Sequence, residues 1–200
     1  MVRLAELRRA IARPLTKPLA RLLAKVSLSP DAVTWTGFWL SVGAVALIIT
    51  HHLAAAGAVV LVAGFCDMLD GALARYLDRA SRFGAILDST LDRVSEALLL
   101  LGILYLYVVE AVVLPAMLVG VALVVSQLVS YVRARAEAMG VECQVGLFTR
   151  PERVIVLALG LLLSNLAGAM VMALAIIALF SCITMGQRLY YVWRQVNAVS

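Results

Sequence analysis

The stretch that decides the fold runs from Asp67 to Asp92 and reads DMLDGALARYLDRASRFGAILDSTLD. Apolar runs lie on both sides of it, and similar runs fill most of the remaining chain: 35–49, 53–66, 97–109, 111–125, 154–163 and 166–185. Of the 200 residues, 64% are hydrophobic and only 14% are charged. Soluble domains are usually about half apolar, so this composition indicates a protein that is solvated by lipid.

We predict an all-α integral membrane protein with six transmembrane helices and an N-terminal amphipathic interfacial helix. The spans are expected at about 34–51, 53–77, 83–108, 111–138, 151–164 and 167–192. Before them, apolar residues recur every three or four positions between arginines and lysines. That pattern favours a helix lying along the membrane surface over a signal peptide. The chain therefore divides into an arm, residues 1–26, and one membrane domain, residues 27–200.

The basic residues predict the topology. Every Lys and Arg lies in the arm or in one of three later segments, 75–93, 133–153 and 188–194. With six spans these segments share one side, and the positive-inside rule makes it cytoplasmic. We expect a multi-pass protein of the cell membrane with both termini and the site in the cytoplasm. The net charge of +5 suits membrane lipids and phosphorylated substrates. Nucleic acid is excluded as a partner, because no basic face lies beyond the membrane boundary.

Two pairs of carboxylates are the main functional signal. Asp67 and Asp70 are three residues apart, and Asp88 and Asp92 are four apart, so each pair shares one face of a helix. A tight reversal at 76–83 would make these helices antiparallel and turn all four carboxylates toward one another. One Asp in mid-bilayer costs roughly 2.5–3.5 kcal/mol, so packing alone does not explain four.

Divalent cations do explain this arrangement. Two ions balance four carboxylates, and ligation by oxygen alone suits Mg²⁺ or Mn²⁺. A paired metal site of this kind can hold both the attacking and the leaving oxygen of a phosphoryl transfer. The alternative is a set of acids at helix ends paired with neighbouring arginines, which leaves the two spacings and the glycines as coincidences.

The same residues match the pattern D-x2-D-G-x2-A-R-x8-G-x3-D-x3-D at every fixed position, and the chain resembles the CDP-alcohol phosphotransferase family. The resemblance implies a six-helix membrane fold, usually a homodimer, with a site that faces the cytoplasm. It implies metal ligands at Asp67, Asp70, Asp88 and Asp92, of which Asp92 also acts as the general base. It implies contacts to the CDP group from Gly71, Arg75 and Ser81.

A second element precedes the first span. Ser29 is predicted to cap that helix, with Pro30 as its first residue. Free N–H groups at such a helix start suit polar or anionic ligands. In the family this element resembles part of the cytidine pocket, which extends the expected nucleotide site to Asp31, Ala32, Val33 and Thr34.

Arginines elsewhere in the chain indicate what kind of acceptor the protein binds. Thr149 and Glu152 have the spacing of a capping box, which places Arg153 in the first turn of a helix. With Arg133 and Arg188 it is predicted to bind a phosphate dianion. Arg133 and Arg135 are two apart, so at most one of them should face this pocket. The alternative interpretation is that these arginines only follow the positive-inside rule.

Within the family, the motifs most resemble the actinobacterial enzymes that use inositol phosphate and archaeal counterparts that use CDP-archaeol. The expected reaction joins CDP-diacylglycerol and inositol phosphate and releases CMP. Glycerol 3-phosphate is the alternative acceptor. A cation transporter is the alternative from another class, but it predicts acids spread across the bilayer. A non-enzymatic membrane scaffold leaves the spacing of the aspartates unexplained.

Overall fold

The computed structural model describes residues 18, 19, 21–24, 28–78 and 81–197, and these ranges are helical without any β-strand. The long helices in them are α1 (Pro30–Ile49), α2 (Leu53–Tyr76), α3 (Arg82–Val109), α4 (Val113–Ala138), α5 (Arg150–Leu162) and α6 (Ala169–Asn197). Each lies within about five residues of a predicted helical segment at both ends. The prediction of an all-α fold is confirmed.

Within the described ranges, four helices can cross a membrane by their length and composition: α1, α2, α4 and α6. The other two fall short for different reasons. α3 carries Asp92, Arg93 and Glu96 in its middle, and α5 has only 13 residues. Several apolar helices therefore support a multi-pass membrane protein, while the predicted count of six spans is not reached by these criteria.

The predicted N-terminal arm is described only in part. Residues 18, 19 and 21–24 are helical, and the rest of the prediction for residues 1–26 lies outside the described residues. Leu23 and Ala24 pack against a small buried cluster formed by Val33, Leu69 and Leu73. The end of the arm therefore rests on α1 and α2.

Local sequence explains where the helices begin. Ser29 accepts a hydrogen bond from the Ala32 amide at 3.2 Å, with Pro30 in the first turn, as predicted. The α5 capping box is also present, because the Thr149 amide donates to the Glu152 carboxylate at 2.8 Å. Between α2 and α3 the chain reverses at Asp78, whose φ of 51° lies in the left-handed region. Asp tolerates that region better than most residues.

The two helices that carry the acids, α2 and α3, both pack against α1. α1 packs against both α2 and α3, α2 against α5, and α4 against both α3 and α6; α5 also packs against α6. α2 and α3 are therefore held together mainly through α1. Gly57 of α2 lets α5 approach closely, because a Cβ added there would lie 2.8 Å from the Ala158 carbonyl oxygen. The main core fills the space between these helices.

Candidate active site

The structure brings the four motif carboxylates together. Asp92 on α3 lies close enough to interact electrostatically with Asp67, Asp70 and Asp88. Asp70 interacts in the same way with Asp67 and Asp88. The Asp67–Asp70 pair of α2 and the Asp88–Asp92 pair of α3 thus form one cluster at the α2–α3 junction, as their spacing predicted.

Two contacts with α1 shape the α2 side of this cluster. Asp70 is only 4% exposed, and the Thr34 hydroxyl donates to its Oδ2 at 2.7 Å. Gly37, one turn further along α1, faces Asp67: a Cβ added there would lie 3.0 Å from Asp67 Oδ1. α1 therefore orients one carboxylate by a hydrogen bond and leaves room for the other.

Arg150 lies inside the carboxylate cluster. Its Nη1 is 2.8 Å from Asp67 Oδ2 and 2.7 Å from Asp92 Oδ2, so one guanidinium nitrogen joins α2 to α3. Arg150 had been assigned no role from the sequence. The available signal was its position three residues before Arg153, which puts both arginines on the first turn of α5.

The donor set fits a hard divalent cation. Four carboxylates converge, and Asp88 Oδ1 is buried without a hydrogen-bond partner in the described structure, so it retains a free ligand atom. Among the described residues, no three His, Cys, Asp or Glu side chains are gathered closely enough to hold a metal ion as they stand. In the described structure one nitrogen of the Arg150 guanidinium lies between the carboxylates of Asp67 and Asp92.

The residues expected to contact the CDP group fall into two places. Asp31 and Ser81 belong to the adjoining N-termini of α1 and α3: a Cβ added at Gly84 would lie 2.8 Å from Ser81 Oγ and 3.3 Å from Asp31 Oδ1. Ser81 caps α3 by accepting from the Gly84 amide at 2.8 Å. Both residues are exposed.

The remaining predicted CDP contacts are placed differently. Val33 is buried in the cluster between α1 and α2, and Ala32 is partly exposed beside it. Arg75 is exposed and its guanidinium passes over Gly71, since a Cβ added there would lie 3.5 Å from Arg75 Nη1. Gly71 and Arg75 thus present one polar surface next to Asp70 on α2.

The three arginines assigned to the acceptor lie near one another but have partners of different kinds. Arg188 interacts electrostatically with Arg133 and Arg153. Arg188 is buried and donates to the Val145 carbonyl at 2.9 Å. Arg133 is exposed and pairs with Glu137 of its own helix at 2.7 Å.

Arg153 is the most buried of the three. Its side chain is 1% exposed and forms a bidentate pair with Glu96 of α3, with Nε 2.5 Å from Oε1 and Nη2 2.8 Å from Oε2. Its Nη1 is buried without a partner in the described structure. Nothing in the sequence indicated a partner for Glu96, because a lone acid in an apolar run does not reveal which helix faces it.

The chain matches a known protein family and resembles several named proteins. A family model described as CDP-alcohol phosphatidyltransferase matches residues 27–183. The chain is 40% identical to the phosphatidylinositol phosphate synthase of Mycobacterium marinum, over 96% of this chain and 84% of the relative. It is 39% identical to the archaetidylinositol phosphate synthase of Methanothermobacter thermautotrophicus, over 94% of both chains.

Solved structures give the same picture. The Mycobacterium tuberculosis phosphatidylinositol phosphate synthase with CDP-DAG bound superposes with a TM-score of 0.81 at 37% identity, covering 90% of this chain and 94% of that one. The same enzyme in complex with manganese and citrate gives a TM-score of 0.79 at 38% identity, covering 89% and 88%.

Proposed function

Because this chain belongs to the CDP-alcohol phosphatidyltransferase family, we propose that it transfers the phosphatidyl group of CDP-diacylglycerol to inositol phosphate and releases CMP. The convergence of Asp67, Asp70, Asp88 and Asp92 from two helices carries this proposal. Relatives 38–40% identical that are named phosphatidylinositol phosphate synthase support the choice of acceptor.

The four aspartates would hold two divalent cations, Mg²⁺ or Mn²⁺. The manganese complex of the Mycobacterium tuberculosis enzyme supports this assignment. When bound, such ions neutralise charge on the pyrophosphate and on the leaving oxygen. Thr34 orients Asp70 through its 2.7 Å hydrogen bond, so α1 takes part in the site through a protein contact as well as through the proposed nucleotide pocket.

In the proposed chemical step, Asp92 accepts a proton. The inositol hydroxyl oxygen attacks the lipid-linked phosphorus, its proton passes to the Asp92 carboxylate, and the bond from that phosphorus to the CMP oxygen breaks. CMP leaves with the electron pair of that bond. The CDP group is held by Asp31, Ala32, Val33, Thr34, Gly71, Arg75 and Ser81.

Arg133, Arg153 and Arg188 bind the phosphate of the acceptor. The electrostatic interaction of Arg188 with both Arg133 and Arg153 supports a shared anion site, since neighbouring guanidinium groups favour a dianion between them. Burial of Arg153 and Arg188 strengthens that preference by limiting solvent screening. Arg135 is exposed on the same helix as Arg133, and it is absent from the charges that act on Arg188.

The whole chain is proposed as an arm, residues 1–26, and a six-span domain, residues 27–200, that forms a homodimer in the cell membrane. α3, packed against α1 and α4, and α5, packed against α2 and α6, complete the six spans in this proposal. The basic segments then face the cytoplasm together with the site.

A second candidate keeps the chemistry and changes the lipid. The 39% identity to an archaetidylinositol phosphate synthase supports CDP-archaeol as the donor. The two donors differ in their apolar tails, and assays with both lipids separate the candidates. Glycerol 3-phosphate remains the alternative acceptor and is tested as a competing alcohol.

Asp92→Asn tests the proposed step. The amide cannot accept the hydroxyl proton, so we expect CMP release from CDP-diacylglycerol and inositol phosphate to fall at least about 100-fold. Asp78→Asn is the matched control: Asp78 is exposed in the α2–α3 turn, and Asn also tolerates its left-handed backbone. Full activity of a folded Asp92→Asn protein would contradict the assignment of the base.

A further inference from the structure

Arg150 makes an unusual pair of contacts in the carboxylate cluster. One nitrogen, Nη1, lies 2.8 Å from Asp67 and 2.7 Å from Asp92, and the side chain is 21% exposed. Its Nε is buried without a hydrogen-bond partner in the part of the chain that is described. The guanidinium therefore supplies positive charge to two acids but leaves a buried donor unused.

Arg153, one turn along the same helix, pairs with its acid in a different way. It gives two nitrogens to the two oxygens of Glu96 and is 1% exposed. Such a bidentate pair fixes both partners. Arg150 instead shares one nitrogen between acids on different helices, so a competing cation can replace it at either oxygen while the other contact persists.

Charge balance decides when that replacement is favourable. Four carboxylates match two divalent cations, and the Arg150 guanidinium then adds one positive charge in excess. The pyrophosphate of a CDP-linked lipid brings about two negative charges at neutral pH. Arg150 therefore opposes loading of the cations alone and favours loading together with the nucleotide lipid.

We infer that Arg150 is a positioning residue that couples divalent-cation binding to CDP-lipid binding. It competes with the cations for Asp67 and Asp92, and its charge is taken up by the substrate pyrophosphate when both ligands are present. This inference rests on the proposed function, since it needs a divalent cation and a CDP-linked substrate at this cluster. It assigns a role to α5 that the aspartate motif does not contain.

Direct binding of Mn²⁺ to the full-length purified protein tests the coupling. The Mn²⁺ dissociation constant is measured by calorimetric titration, with and without short-chain CDP-diacylglycerol, for the native protein and for Arg150→Gln. We expect Arg150→Gln to bind Mn²⁺ alone about tenfold more tightly, because the competing charge is gone. We also expect the gain in Mn²⁺ affinity on adding the lipid to shrink by a similar factor, because the variant has no competing charge for the lipid to take up.

Two further variants keep this test decisive. Arg135→Gln removes an exposed arginine from the same side of the protein and should behave like the native protein. Arg150→Met serves if Arg150→Gln does not fold: it also removes the charge while keeping much of the apolar stem, so Mn²⁺ alone should bind it more tightly than it binds the native protein.

Unchanged or weaker Mn²⁺ binding in the folded Arg150 variant would overturn the inference. Absence of Mn²⁺ binding in every protein would overturn it together with the proposed metal site. If Mn²⁺ binding follows the expected pattern while no alcohol yields CMP, the coupling stands and only the proposed reaction fails.

Discussion

At the scale of single residues, Glu96 and Arg153 are the most tightly joined charges in the site. Both side chains are almost fully buried and meet in a bidentate pair. Breaking such a pair from one side leaves an uncompensated buried charge, whereas replacing both partners with apolar residues is often neutral. The contribution of this pair to the stability of the protein can therefore be measured separately from its contribution to acceptor binding.

Glu96→Gln should lower the free energy of unfolding by about 3 kcal/mol, because Arg153 keeps its charge and loses its counterion. The combined variant Glu96→Leu with Arg153→Met should recover most of that loss. It should still show a raised KM for inositol phosphate with an unchanged KM for CDP-diacylglycerol. Denaturant unfolding in detergent and steady-state kinetics measure these quantities. An equal rise in both KM values would contradict the role of Arg153 at the acceptor.

Gly37 is a second residue whose contact is specific to the site. A Cβ there would stand 3.0 Å from Asp67 Oδ1 and 3.3 Å from Cys66 Cβ. Gly37→Ala should therefore displace the Asp67 carboxylate by a few tenths of an ångström. We expect several-fold weaker Mn²⁺ binding and slower CMP release.

Gly43→Ala is the control for Gly37→Ala, because it lies on the same helix and a Cβ there meets no atom within 4 Å. Ala is intrinsically better than Gly in a helix by about 1 kcal/mol. Both substitutions gain this term, so the difference between them measures the contact with Asp67. Equal Mn²⁺ affinity in the two variants would show that Gly37 does not shape the site.

At the scale of elements, α5 is placed by small residues on its neighbours. A Cβ on Gly57 of α2 would lie 2.8 Å from both the Ala158 carbonyl oxygen and the Leu162 amide nitrogen. Backbone atoms cannot move aside as a flexible side chain can. Gly57→Ala must therefore push α5 away from α2, and with it Arg150 and Arg153.

We expect Gly57→Ala to lower the free energy of unfolding by about 1–3 kcal/mol, the usual cost of overpacking. Gly120→Ala is the matched substitution in α4, where a Cβ meets nothing within 4 Å, and it should be neutral or stabilising. Thermal unfolding of both variants in the same detergent measures the difference. A Gly57→Ala protein as stable as Gly120→Ala would contradict close α2–α5 packing.

Sequence patterns predicted the elements better than their contacts. Apolar runs and caps located all six long helices, and the Ser29 and Thr149 caps formed as expected. Local signals succeed here because a cap or an apolar run depends on residues that are near in sequence. Glu96 and Arg153 are 57 residues apart, and nothing in either local pattern specifies that pairing.

The carboxylate cluster was predicted from the sequence in part and missed in part. Spacings of three and four residues predicted that two acid pairs would each share a helix face, and the structure places them together. Arg150 comes from a third helix whose position relative to α2 depends on close packing at Gly57. That packing is a property of the folded chain, which explains why the arginine within the site was missed.

At the scale of the whole molecule, four described helices have the length and composition to cross a membrane. The carboxylate cluster lies toward one end of the assembly, near the ends of α2 and α3 that also carry Arg75 and Arg82. In the proposed orientation this end faces the cytoplasm. A lipid-linked nucleotide and a charged, soluble alcohol can then reach one site from the bilayer and from water.

One assay of CMP release tests the proposed reaction. Purified protein is incubated with CDP-diacylglycerol and Mn²⁺, and CMP is measured with inositol phosphate, inositol or glycerol 3-phosphate as the only alcohol, with Asp92→Asn as the inactive reference. We expect fast CMP release with inositol phosphate, matched by an equal amount of phosphatidylinositol phosphate, and little CMP with the other two alcohols. Release with glycerol 3-phosphate alone would contradict the proposed acceptor, and no release with any alcohol would contradict the transferase reaction itself.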